Sequence, residues 1–486
     1  MEKSSSKGII RYTAKSLMSR GQLCFYLSAA IIFISILIIN PRIAGLIFIT
    51  LSLLFYTCFV GFKLLLWCAA SRGNESSSVS AETMQTELPV YTVFIPLYHE
   101  ANMLPSLVKS IGQLNYPKDK LQVLLLLEED DDETRSMADS MNLPCYFSQI
   151  IVPDCKPKTK PKALNMGLEQ AVGEFCVIYD AEDRPDPDQL IKAVAAFRSS
   201  TIPKNVACVQ AQLSFWNDQT NWLTRFYWID YAVHFNWVLQ GLAKIGLIPP
   251  LGGTSNHFRT EILWKIAIAP DELPPKAAGI GGWDPYNVTE DADLAGALAL
   301  HGYRIQMIDS ITYEEATTQM GMADRQRRRW MKGYLQTGLV YTRHPLRSAR
   351  AMGPLRWFCY ILLMLGTPAC LLLNPVFWGM TIMYFTTKSE IIASLFPLPL
   401  YSIGIALTIL GNLLLFYQQV IACLKRGSYG SVKYMLLVPV WWLFISYISY
   451  RMIFELINPR TRYIWNKTEH GQDLNKEATL VHQRSI

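Results

Sequence analysis

A mixed α/β domain held between two membrane-embedded regions is the fold class this sequence predicts, and three observations predict it. Long apolar runs stand towards both ends of the chain, β-branched strands alternate with helix-periodic segments between them, and acidic clusters follow directly on two of those strands. A content of 51% hydrophobic and 17% charged residues over 486 positions is unusual for a wholly soluble protein.

The first element is a hairpin. Leu23 to Ile39 and Ile43 to Ala70 are each long enough to cross a hydrocarbon core, which takes about 20 helical residues. No small-residue cleavage site precedes the second run, so a cleaved signal peptide is not expected. Lys3, Lys7, Arg11, Lys15 and Arg20 precede the first run and place the N-terminus in the cytoplasm by the positive-inside rule. Two crossings return the chain there. The expected boundaries are a hairpin at 1–70, a Ser-rich linker at 71–88, a cytoplasmic domain at 89–350, a membrane region at 351–457 and a cytoplasmic tail at 458–486.

The C-terminal membrane region has three apolar stretches, Leu355 to Thr386, Ile391 to Leu424 and Tyr434 to Ile457. Lys425 and Arg426 argue for a cytoplasmic loop after the second, and Arg460 and Arg462 argue the same after the third. Both cannot hold if all three cross. Pro439, or Pro368 and Pro375, could make one of them re-entrant or interfacial.

Ten cysteines form no C-x-x-C pair, so neither a zinc site nor a disulfide framework is indicated. The net charge of +6 lies mostly near membrane ends, and no nucleic-acid motif accompanies it. The bilayer is the expected partner of that charge, and nucleic acid is not.

Within the domain, Val90 to Pro96, Leu121 to Leu127 and Phe175 to Tyr179 read as buried strands, with helices at Leu104 to Leu114 and Ala163 to Ala171. In such sheets ligands bind beyond the carboxyl ends of the strands. Glu128 to Glu133 follows the second strand and Asp180-Ala181-Glu182-Asp183 follows the third. Crowded carboxylates repel one another unless a cation lies between them, and hard oxygen ligands select Mg²⁺ or Mn²⁺. The first cluster could equally be a solvated loop.

Thr289-Glu290-Asp291 opens a helix with an apolar stripe at Leu294, Ala297 and Leu298. Thr289 suits its N-cap, and the two acids either complement the helix dipole or perform chemistry. A helix N-terminus lowers a carboxylate's pKa, so local physics does not single out Asp291. About 35 residues later comes Gln326-Arg327-Arg328-Arg329-Trp330. On a helix of about 3.6 residues per turn, Gln326, Arg329 and Trp330 share a face suited to a diphosphate. Arg327 and Arg328 point elsewhere, where lipid headgroups are their expected partners. Trp216, Trp222, Tyr227, Trp228, Tyr231 and Trp237 lie between the two regions and could stack on sugars or mark an interface.

Set in order, these motifs resemble the membrane-embedded, processive branch of glycosyltransferase family two, which includes cellulose, curdlan and hyaluronan synthases. The resemblance runs from Ile95-Pro96-Leu97-Tyr98-His99-Glu100 to Gln326–Trp330 and extends to a Trp465-Asn466-Lys467-Thr468-Glu469-His470-Gly471 segment. It implies a GT-A domain, a Rossmann-like nucleotide-sugar-binding fold, and an inverting transfer from a nucleotide-sugar donor with Mg²⁺ or Mn²⁺. It implies Asp291 as catalytic base. The donor would be bound by Glu129, Asp130, Lys160, Asp180, Gln326, Arg329 and Trp330. The metal would be held by Asp180 and Glu182, with Asp183 a rival ligand. The acceptor would meet Thr254, Ser255, Asn256, His257 and Glu290. The Asp-Asp-Gly-Ser of the family is absent here, and Thr159 stands where Gly is usual before Lys160.

The product this implies is a polysaccharide, possible export partners included, made by a multi-pass protein of the bacterial inner membrane. The alternative is a single transfer to a lipid or lipid-linked acceptor, and a catalytically dead scaffold or transporter is a third reading.

Overall fold

The computed structural model describes residues 11–72, 87–269, 272–274 and 281–463. The 465–471 motif, Lys3 and Lys7, and most of the 71–88 and 458–486 segments lie outside the described residues.

Helices α1 (Arg20–Ile39) and α2 (Pro41–Ser71) form the hairpin. Ser19 and Gln22 cap α1 reciprocally, and Asn40 accepts from Ile43 N–H to start α2 without a loop. Arg11 does not face headgroups. It is buried in an ion pair with Asp293 at 2.8 Å, while Ala14 N–H donates to Asp284 at 2.6 Å, so the segment before α1 is strapped to the soluble domain.

That domain is built on an eight-stranded sheet in the order β3-β2-β1-β4-β7-β6-β8-β5. In chain order the strands are β1 (Tyr91–Leu97), β2 (Leu121–Glu128), β3 (Phe147–Val152), β4 (Phe175–Ile178), β5 (Arg184–Pro185), β6 (Val206–Phe215), β7 (Asn256–Arg259) and β8 (Arg304–Glu314). Strands β3, β2, β1 and β4 are mutually parallel, β7 runs against β4 and β6, and β6 and β8 are parallel. Pro96 does not end β1 as its missing N–H suggests. Pairing with β4 stops at Phe94, so Pro96 keeps only β2 as neighbour and breaks no ladder on the other side.

Helices α3 (Leu104–Gly112), α4 (Asp132–Ser140), α5 (Lys160–Glu169) and α6 (Gln189–Arg198) accompany the sheet, and two apolar clusters form its core. After α7 (Trp222–Val233) come α8 (Glu290–Leu300), which opens at the Glu290-Asp291 pair, and α9 (Met320–Tyr341), which carries Gln326 to Trp330. The first apolar C-terminal stretch breaks at Leu365 into α10 (Pro354–Met364) and α11 (Gly366–Thr387), and α12 (Leu398–Lys425) and α13 (Val438–Ile457) follow.

Among the described residues five helical stretches are long and apolar enough to span a bilayer, the last of them Tyr429–Ile457. Its contacts keep that last stretch on the soluble domain. Trp441 Nε1 donates to Asp230 at 3.1 Å near one end, Arg451 pairs with Asp324 at 3.0 Å, and Glu455 pairs with Arg328 near the other end. A helix touching the domain over roughly 21 Å of its length at 1.5 Å per residue lies along it and does not leave it. Pro439 falls in the first turn of α13, where proline is tolerated. The conflict between the two basic clusters is thereby resolved. Arg426 bonds Asn236 at 2.9 Å and Arg462 O accepts from Gln336 at 3.5 Å, so both clusters are on the domain's side. The protein is a multi-pass membrane protein carrying a soluble domain.

Candidate active site

The carboxyl ends of β2, β1 and β4 deliver the first half of the cleft. Asp131, inside the first acidic cluster, is buried and serves structure, accepting from His99 N–H at 2.5 Å and from Thr134 N–H as N-cap of α4. Glu128 is likewise buried, on Lys162 at 2.6 Å. Asp130 is at the rim, paired with Lys158 at 2.5 Å and 3.4 Å from the Tyr98 hydroxyl, and Glu129 accepts from Asp154 N–H at 2.9 Å. The cluster is thus neither a plain solvated loop nor a metal cage.

Asp180 follows β4 and pairs with Lys160, whose ammonium also donates to Gly253 O at 2.9 Å. Burial pulls Lys160 down, and Asp180 and Glu290 more than offset it, so its pKa stands above the usual lysine range. Asp183 accepts from Asp180 N–H at 2.7 Å and from the Thr254 hydroxyl, while its Oδ1 is buried without a hydrogen-bond partner. Burial first, then the neighbouring Asp180 charge, pushes Glu182 and Asp183 well above the ordinary carboxylate range.

Glu314 belongs to the same cluster and sequence reasoning missed it. The register Arg184↔Tyr313 between β5 and β8 brings it opposite Asp183, and burial with the charges of Asp183, Glu182 and Asp180 raises it too. Its only sequence signal was an acidic pair ending a strand that had not been recognised.

This donor set fits a hard divalent cation. Among the described residues no three His, Cys, Asp or Glu side chains close around one point, and Asp180 is paired with Lys160. A Mg²⁺ or Mn²⁺ bound through one or two carboxylates, with phosphate oxygens and water completing its shell, needs no such closure. The orphaned Asp183 Oδ1 and the mutually repelling acids are what such a cation would satisfy.

The second half of the cleft comes from α8 and α9. Thr289 is at the N-cap position but makes no side-chain cap bond. Asp291 accepts from Ala292 N–H at 2.7 Å, and its Oδ2 would stand 3.2 Å from a Cβ built on Gly253. Burial raises Asp291, opposed by Ala292 N–H, Arg329 and Lys160. The dipole argument fails here because desolvation outweighs the helix terminus. Glu290 is raised by burial and by Asp291.

Arg329 reaches Val288 O at 3.4 Å and acts electrostatically on both acids. Gln326 has a buried Oε1 without a partner. Trp330 lies 6.1 Å from Tyr231 and 6.3 Å from Tyr227, ring to ring. Gly333, unremarked in the sequence, lets α9 approach, since a Cβ there would be 2.1 Å from Thr289 Oγ1.

The headgroup role expected of Arg327 and Arg328 is corrected. Arg327 is buried, 2.9 Å from Asp230 and stacked on Tyr227, Trp330 and Trp441. Arg328 pairs with Asp324 at 2.7 Å and with Glu455 of α13. Of the acceptor motif, Thr254 reaches the acid cluster, whereas Ser255 bonds Thr312, Asn256 bonds Gln210 and His257 is buried between Tyr91 and Gln189. Burial pushes His257 down to about 3, so it is a neutral core residue away from the cleft. Of the aromatic stretch, Tyr227, Trp228 and Trp237 are buried, and Tyr231 flanks Trp330.

The family described as Glycosyltransferase like family 2 matches residues 89–333, ending on Gly333. A probable glycosyltransferase, YdaM, of Bacillus subtilis is 27% identical over 51% of this chain and 56% of its own length. A probable glucomannan 4-beta-mannosyltransferase of Oryza sativa is 26% identical over 51% of this chain and 41% of its own. A beta-monoglucosyldiacylglycerol synthase of Trichormus variabilis is 23% identical over 53% of this chain and 52% of its own. The chain spans about half the length of the curated relatives it matches. Among solved structures, the mannosyltransferase PcManGT of Pyrobaculum calidifontis, in complex with GDP-Man and Mn²⁺, superposes with a TM-score of 0.51 at 20% identity, covering 82% of this chain and 99% of that one. That likeness shows the GT-A fold. With half of the chain matched across the segment that carries every acid and cation of the cleft, this multi-pass membrane protein belongs to glycosyltransferase family 2.

Proposed function

We propose that the protein transfers a sugar, with inversion, from a nucleoside diphosphate sugar to a hydroxyl of a membrane-borne acceptor at the cytoplasmic face. The observation that carries this reading is Asp291, half-buried against Gly253 and within electrostatic range of Arg329 and Lys160. As the acceptor oxygen bonds to the anomeric carbon, its proton passes to the Asp291 carboxylate and the bond to the diphosphate oxygen breaks. The diphosphate departs as an anion, needing no proton, and Lys160 and Arg329 are the cations proposed to meet that charge. Asp180 and Glu182, with Asp183 behind them, would hold a Mg²⁺ or Mn²⁺ that offsets charge on the leaving diphosphate. The structural relative of the same fold was solved with GDP-Man and Mn²⁺, which supports a divalent cation and a nucleotide sugar as ligands without assigning the residues. Glu129 and Asp130 are proposed for the nucleoside end, and Gln326 and Trp330 for the face where donor and acceptor meet.

The acceptor side adjoins the membrane, because Trp330 shares two apolar clusters with Leu371 of α11. Between α2 and α11, Tyr56 bonds Asn374 at 2.6 Å and Phe377 packs on Phe48 and Tyr56. This packing closes α2 onto α11, and with the apolar surroundings of Trp330 it supports a lipid or lipid-linked acceptor over polysaccharide export with its partners. Membranes bearing the protein, given a panel of nucleotide sugars, should yield a lipid product of one added sugar. A long glycan would return the polymerase reading. Asp291→Asn should abolish transfer and keep nucleotide binding, and turnover in that variant would remove Asp291 as base.

A further inference from the structure

Lys63 lies within an otherwise uncharged stretch of α2, and the side of the helix it occupies is the informative point. A lysine that merely snorkels to the interface belongs on the lipid-facing stripe. That stripe is marked by the exposed Leu51, Leu54 and Leu65. Lys63 is on the opposite side. Tyr56, Phe59, Lys63 and Trp67, at i, i+3, i+7 and i+11, share one face. Tyr56 bonds Asn374 of α11, Phe59 packs on Gly366, and Trp67 meets Tyr417 of α12 and Trp237. Lys63 therefore points between helices, with its ammonium 5.4 Å from the Phe59 ring centre and Cys370 of α11 within electrostatic range.

Among the described residues no carboxylate contributes to its surroundings. Lys63 stands 22 residues into α2, roughly 33 Å from the hairpin turn and so at the soluble-domain end of the span, and an inward-facing cation there without a carboxylate is open to an anionic ligand. The turn that packs against α2 at this end is the π-helical His234–Leu239, a local widening that recurs at functional sites, and its first residue is within electrostatic range of Lys63. His234 lies three residues after Tyr231, whose ring flanks Trp330, so the cationic spot adjoins the acceptor end of the cleft. Burial, then Lys63 and Arg327, pushes His234 down to about 3, leaving a neutral imidazole able to donate one hydrogen bond.

We propose that Lys63 and His234 seat the phosphate of a lipid-borne acceptor, where the bilayer meets the Trp330 wall. The proposal rests on the reading of a membrane-borne acceptor and deepens it by naming a phosphate as the recognised group. The test uses the full chain in phosphatidylcholine nanodiscs, with tryptophan fluorescence reporting binding of farnesyl phosphate, farnesol and inorganic phosphate. Farnesyl phosphate should bind at least about tenfold tighter than either of the others, a difference of about 1.4 kcal/mol. Lys63→Met should lose that preference, and Lys63→Arg should keep it. Equal binding of farnesol, equal binding of inorganic phosphate, or an unchanged preference in Lys63→Met would each overturn the proposal. Nucleoside diphosphate binding, measured on the same samples, separates the two levels. Its retention with no phosphate preference removes only the lipid seat, whereas its absence from the wild type would remove the transferase reading itself.

Discussion

The Asp291 carboxylate lies against Gly253, so close that a Cβ at that glycine would stand 3.2 Å from Oδ2. Gly253 has φ +85°, a conformation L side chains rarely adopt, and its carbonyl holds Lys160. One residue thus spaces Asp291, the proposed base, from Lys160, the proposed diphosphate-side cation. Gly253→Ala should lower kcat by about 100-fold, the scale of a 1 Å misplacement, with nucleotide affinity nearly kept. Single-turnover kinetics beside a nucleotide titration would check it, and an unchanged kcat would refute the spacing role.

Gly333 is expected to be as intolerant, for a different reason. A methyl group there would meet Thr289 Oγ1 at 2.1 Å and push α9 from the start of α8. Gly333→Ala should destabilise the domain by about 1–3 kcal/mol, as overpacking does, and reduce transfer more than it reduces donor binding. Thermal unfolding in nanodiscs with parallel kinetics measures both.

The pH dependence follows from the direction of the Asp291 shift. As the proposed base Asp291 must be charged, and burial raises its pKa while Arg329 lowers it. Removing Arg329 removes a lowering influence, so the acidic limb of the kcat profile should move to higher pH in Arg329→Gln. A limb that stays in place or moves to lower pH would show that Arg329 does not act on Asp291.

The acid cluster makes a prediction about stability. Glu182, Asp183 and Glu314 all have folded-state pKa values above their ordinary ones. Their contribution is fully present at low pH, where they are protonated in both states, and is lost as pH rises from the ordinary carboxylate range through the raised folded values. Tm of chelator-treated protein should therefore fall with rising pH over that window. Mn²⁺ with a nucleoside diphosphate should flatten the fall, and Glu182→Gln with Asp183→Asn should remove both effects.

Glu455 on α13 and Arg328 on α9 form a part-buried pair, with Lys332 at 3.5 Å from the same carboxylate. Glu455→Gln should cost on the order of 1–2 kcal/mol, after allowing for partial exposure, and Arg328→Met beside it should recover part of that loss. Additive losses in the double variant would show the two residues to be uncoupled.

The strands that position the first half of the cleft were legible because β1, β2 and β4 are buried on both faces and read as unbroken apolar runs. β6 and β8, the latter ending on Glu314, were not. Gln210 and Gln212 interrupt β6, and polar residues recur along β8, since these strands bind neighbouring loops through their side chains. Asp291, Arg329 and Trp330 were legible as motif, whereas Glu314 and Gly333 depend on strand register and helix approach, which no local pattern encodes. Arg327 misled because a basic residue near an apolar run looks like an anchor, and only the fold brings Asp230 and three aromatic rings to it.

Because α13 runs along α9, the helix that bears Trp330 is bolted to an element from the far end of the chain. Glu455 holds Arg328 and Arg451 holds Asp324, so the attitude of α9 is set in part from beyond the segment the family shares.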